Sequence, residues 1–163
     1  MEIELKPITK VKNETAWCGP SIVSSITGEP IGKINEVIKA QRVRHGYGTF
    51  LRFNWHSGDE HEVRQAVKGT STREIKLCLN HYGFDINPSC NNAPKKTKGK
   101  EPTISQWLKQ RTVRECNLVS AGHHWQLVQG VYFCDSFTGK PVIVSVAPHQ
   151  RARVRAIYKV TKL

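Results

Sequence analysis

The stretch NETAWCGPSIVSSITG, residues 13–28, decides how this chain is read. Ser21, Ile22 and Val23 run into a helix that starts near Cys18, and Gly28 is a natural residue to stop it. Cys18 therefore falls in the first turn. A thiol there faces unpaired amides and the positive end of the helix dipole, and both favour the nucleophilic thiolate. A buried cysteine packed by Trp17 satisfies the same tetrapeptide, so the local sequence leaves two readings open.

Working outward, Pro30 suits the start of a second helix carrying Ile31, Ile34 and Ile38 at helical spacing. Ser71-Thr72-Arg73-Glu74 is a capping box ahead of Ile75, Cys78, Leu79 and Tyr82, with Gly83 as the stop. Thr103 to Gln106 is another, opening a short helix through Trp107 and Leu108. Gly46 to Gly58 holds four aromatics without a period and reads as irregular. Asn91 to Lys100 (NNAPKKTKGK) reads as an exposed mobile loop. It divides a helical first part from a strand-rich second part, which predicts an α+β fold: one domain over 1–163, with a flexible basic loop near 91–102. The expected antiparallel sheet has about four to five strands. They are Cys116–Ser120, His124–Val128, Val131–Cys134, Pro141–Ala147 and a last strand in which Val154, Ala156, Tyr158 and Val160 face the core.

A cysteine nucleophile needs a base, and the base needs an orienting group. With Gln129-Gly130 as the turn, Val128 pairs with Val131 and His124 falls directly opposite Asp135, on one face. His123 then faces the other side, opposite Ser136. The pair is also readable as a satisfied surface contact.

The order Cys18, His124, Asp135, with the cysteine opening an early helix and the histidine opening a strand of a later sheet, resembles papain-like cysteine peptidases. Cys18-Gly19-Pro20 is similar to the Cys-Gly-Pro of their bacteriocin-processing, double-glycine-cleaving branch. Asn13 to Pro20, Gly69 to Glu74 and the closing basic strand are similar to small papain-like proteins encoded by bacteriophages. The resemblance implies a papain-like hydrolase with Cys18 as nucleophile, His124 as base and Asp135 as orienting group. It implies a peptide, isopeptide or amide substrate and a site in the host cytoplasm or the virion. In place of the family's oxyanion glutamine stands Lys12, followed by Asn13, an amide donor and the candidate for that role.

Composition excludes little else. No apolar run approaches the roughly 20 residues of a membrane span, so no membrane partner is expected. The N-terminus lacks a signal-peptide core, and five cysteines do not make a disulfide scaffold, which suits reduced thiols. Cys78 and His81 have a metal-like spacing without a second pair, so no metal or cofactor is expected. Cys90, Cys116 and Cys134 read as packing residues. The net charge is +12, of which residues 91–114 carry +6 and residues 149–163 carry +5. Lys95, Lys96, Lys98 and Lys100 form one basic cluster. Arg151, Arg153 and Arg155 form another, expected to alternate along a strand and face one way. These are candidate contacts for nucleic acid or an acidic host protein, and equally a solvated loop and a protected edge strand. A catalytically idle, basic binding module or virion component is the rival to the enzyme reading.

Overall fold

The computed structural model describes residues 2–112 and 114–163 and is a mixed α+β fold. Helix α1 spans Cys18–Thr27, with Gly28 at φ +81 closing it as its amide donates a hydrogen bond to the Ser24 carbonyl. α1 is buried on all sides from Gly19 to Ile26. It can be, because its small polar residues find partners. Ser21 Oγ donates to the Trp17 carbonyl, Ser25 Oγ donates to the Lys6 carbonyl, and Ser24 Oγ accepts from the Thr9 amide. Around α1 lie the N-terminal segment, α2 (Ile31–Arg44), α3 (Thr72–His81) and the central sheet. Ile31, Ile34 and Ile38 are the buried stripe of α2, as their spacing requires. α3 opens on the expected capping box between Ser71 and Glu74 and buries Ile75, Cys78 and Leu79.

Among the described residues the sheet has six strands, one or two more than the sequence suggests. They are β3 (Phe84–Pro88), β4 (Cys116–Ala121), β5 (His124–Gln129), β6 (Tyr132–Cys134), β7 (Val142–Ile143) and β8 (Val154–Lys162). The order is β3-β8-β4-β5-β6-β7 and every pairing is antiparallel. One face packs on α1–α3 through Leu118, Leu127 and Val160. The other face packs Val119, Val128, Phe133, Val154 and Ile157 against Trp107 of α4 (Ile104–Gln110), which opens on the Thr103–Gln106 capping box. A separate two-stranded sheet, β1 (Thr49–Phe53) with β2 (Glu60–Arg64), occupies the segment that reads as irregular. It is exposed on both faces, so no burial alternation marks it in the sequence.

Several expectations are corrected. The β5–β6 turn is Gly130-Val131 rather than Gln129-Gly130, because Gln129 pairs with Tyr132. Gly130, at φ +59, takes the first central position, which suits a glycine in a type II′ hairpin loop. Pro141–Ala147 is a strand only at Val142–Ile143 and then turns into a 3₁₀ segment, Val144–Val146. In β8 the register shifts between Ser120 and Ala121 of its partner, leaving Arg155 as an extra residue. That bulge reverses the alternation, so Val154 and Ile157 share one core while Val160 joins the other. It also breaks the arginine row. Arg155 lies in β8, whereas Arg153 precedes it and donates to the Glu101 carbonyl at 2.8 Å, and Arg151 sits in a turn. Cys90 is exposed rather than packed, while Cys78, Cys116 and Cys134 are buried. Lys95, Lys96, Lys98 and Lys100 are exposed, and Thr97 and Lys100 bond each other across a turn. The start of this loop is anchored: buried Asn92 bonds the side chains of Glu115 and Asn117.

Gly19 is fixed by its surroundings. A Cβ there would fall 1.8 Å from Thr70 Oγ1 and 2.8 Å from Thr70 Cβ. Gly19→Ala is therefore expected to cost about 1–3 kcal/mol of stability, read by urea unfolding. Thr70→Ala should recover part of that loss in the double variant. Additive losses in the two single variants would contradict the contact.

Candidate active site

The site forms where the N-terminus of α1 meets the start of β5. Cys18 is the first residue of α1 and half-buried. Trp17 offers no side-chain cap, and Pro20 removes one amide from the first turn. The His124 ring and the backbone amides of Trp125 and Gly19 are the polar groups that act on the thiol. His124 Nε2 lies 3.0 Å from Asp135 Oδ2, which leaves Nδ1 as the ring nitrogen for sulfur. Asp135 is fully buried. Its Oδ1 accepts from the amides of Phe137 at 3.0 Å and Thr138 at 2.9 Å, so the carboxylate is held on three sides.

The true register places His124 and Asp135 two positions away from direct opposition. A shift of two keeps every side chain on its own face, so the pair still meets along the diagonal. His123, at φ +56, is an exposed turn residue.

Electrostatics reinforce the geometry. Burial pushes the Cys18 thiol up, but the hydrogen bond and charge of His124, with the two amides, bring it below its usual value. Burial opposes the charged imidazole, yet Asp135 and Cys18 together lift His124 to about 9. Burial likewise opposes the Asp135 charge, and the His124 hydrogen bond outweighs it to hold the carboxyl low. The thiolate–imidazolium pair forms as pH rises through the lowered thiol value and is lost as His124 deprotonates near 9. Cys78 and Cys116 differ: burial alone pushes both thiols up to about 12.

Other elements hold the cysteine in place. Trp125 Nε1 donates to the Thr70 carbonyl at 3.2 Å, while Thr70 packs on Gly19. Beside His124 lies a cavity of about 240 Å³, lined by Phe137, His149, Ala121, Gly122 and Ala152. The rings of His124, Phe137 and His149 stand 4.8–5.8 Å apart, edge to face. The sequence gives no period to mark His149, a loop residue at φ +61. A larger groove of about 780 Å³ near Leu5 and Tyr132 contains none of Cys18, His124 and Asp135. Asn13, the oxyanion candidate, is exposed at φ +70 in a turn closed by the Glu14 amide on the Val11 carbonyl. It is not among the main groups acting on the thiol. His81 lies at the end of α3, and no cluster of three or more metal-ligating side chains occurs among the described residues. Among them, no helix is long and apolar enough to cross a membrane.

No family model, curated protein or solved structure matches the chain.

Iodoacetamide at neutral pH is expected to label Cys18 faster than exposed Cys90, with Cys78 and Cys116 inert. His124→Ala should slow Cys18 about tenfold or more, the scale of a charge-assisted hydrogen bond. An accessible Cys18 that labels no faster than Cys90, or is indifferent to His124→Ala, would contradict the ion pair. Asp135→Asn removes the anion that raises His124. The His124 ring midpoint, read by nitrogen NMR, should then move from near 9 to lower pH; an unmoved midpoint argues against the orienting role.

Proposed function

We propose that the chain is a papain-like cysteine hydrolase that cleaves a peptide, isopeptide or side-chain amide bond. The observation that carries this reading is the hydrogen-bonded pair His124–Asp135 acting on Cys18 at the start of α1, with a lowered thiol and a raised imidazole. Cys18 Sγ attacks the carbonyl carbon, and the carbonyl π electrons move onto oxygen. The oxyanion falls at the start of α1, where the Cys18 amide and the Asn13 side chain are the donors the reading assigns. Reaching it requires Asn13 to swing in from its exposed turn when substrate binds. As the tetrahedral species collapses, His124 gives its proton to the leaving nitrogen and the C–N bond breaks. Water then attacks the thioester, His124 takes its proton, and the acid product leaves Cys18 free. Asp135 stays ionised and keeps the ring in position. The cavity beside Phe137 and His149 adjoins His124 and so suits the leaving-group side of the substrate.

The test is digestion of a proteome-derived peptide library, with new termini read by mass spectrometry. Wild-type protein should generate termini that Cys18→Ala and His124→Ala do not. His123→Ala should keep most of the activity, since His123 is an exposed turn residue. Absence of cleavage, together with a Cys18 that an electrophilic peptide fails to trap, contradicts the hydrolase reading.

A further inference from the structure

A groove of about 580 Å³ lies between the β1–β2 hairpin and the helices behind it. It is lined by Arg42, Tyr47, Phe50, Arg52, Arg64 and Lys68, among others. The hairpin is firmly seated. The Gln65 amide bonds the Gly48 carbonyl, the Tyr47 amide bonds the Arg42 carbonyl, and Gly48, at φ +84, lies where a Cβ would meet Arg42 Cβ at 2.9 Å. The nearby carboxylate, Glu74, is already engaged by Arg42, the Ser71 amide and the Tyr47 hydroxyl. Arg42 also donates to the Gly69 carbonyl at 2.7 Å. Arg52 and Lys68 are left as the groove's exposed cations.

Strand alternation sorts the remaining charge. Phe50 pairs with Val63 and Arg52 with His61, on one face. Glu62, Glu60 and Arg64 pair with Leu51, Phe53 and Thr49 on the other, and Asp59 lies beyond the ladder. The Arg52 guanidinium stands 5.7 Å from the Phe50 ring centre. At the hairpin tip Trp55 is 88% exposed and meets Phe53 edge to face.

We propose that this groove and hairpin bind single-stranded nucleic acid. Cations track a phosphate backbone, while exposed rings offer faces to unstacked bases. A duplex keeps its bases stacked and gives the rings nothing to cover. The site is separate in the chain from the basic segments at Lys95–Lys100 and Arg151–Arg155. It does not depend on the hydrolase reading.

The experiment is fluorescence anisotropy on the full chain, with a labelled oligothymidylate and a duplex of equal length, from about 50 to 200 mM salt. The single strand should bind more tightly than the duplex, with log affinity falling against log salt at about -0.7 per phosphate engaged. Phe50→Ala should weaken binding about tenfold with the salt slope unchanged. Arg52→Gln with Lys68→Gln should flatten the slope. All three residues are exposed, and circular dichroism checks that the variants stay folded. Changing Arg151, Arg153 and Arg155 together to Gln should leave single-strand affinity within about twofold of wild type. No binding at about 50 mM salt, equal affinity for the duplex, or binding that survives the groove variants and fails in the Arg151–Arg155 variant overturns the proposal.

Discussion

Gly19 and Thr70 occupy space that no additional Cβ can share, and this contact joins parts of the chain 51 residues apart. The first turn of α1 is pressed against the Gly69–Ser71 turn. The Thr70 carbonyl accepts from Trp125 of β5, Ser71 caps α3, and the Gly69 carbonyl accepts from Arg42 of α2. One short turn therefore fixes α1 against the strand that carries His124. Arg42 and Glu74 complete the arrangement as a nearly buried ion pair, whose side chains are 9% and 12% exposed. Such a pair adds little net stability but is costly to break from one side, so it favours a single arrangement of α2 and α3.

On that scaffold, three groups of ordinary chemistry alter one another. Asp135 alone is a buried carboxylate that would resist ionisation. Two backbone amides and His124 keep it charged. That charge supports a protonated His124, and protonated His124 supports a Cys18 thiolate. Buried Cys78 and Cys116 lack such partners and move the opposite way, so position rather than burial separates Cys18 from them.

Much of this is legible in the sequence, for local reasons. Capping boxes at Ser71 and Thr103, the stop at Gly28 and the isoleucine stripe of α2 depend on neighbouring residues alone. His124 and Asp135 could be paired despite a misplaced turn because an error of two residues preserves the face. The bulge at Arg155 is set by pairing with β4, a distant segment, so local alternation in β8 misassigns Ile157 and imagines an arginine row. The β1–β2 hairpin shows no period because both faces meet solvent. Cys90 looks like a core residue by type alone, and only the fold exposes it. His149 comes to His124 through a loop whose path no periodicity encodes.

The most direct measurement of the central claim is nitrogen NMR titration of the ring-labelled His124 imidazole. The account predicts an imidazolium that persists to about pH 9 and a midpoint that falls in Cys18→Ser, where the thiolate partner is gone. A midpoint at or below the ordinary histidine value of about 6.5, unchanged by Cys18→Ser, would contradict it.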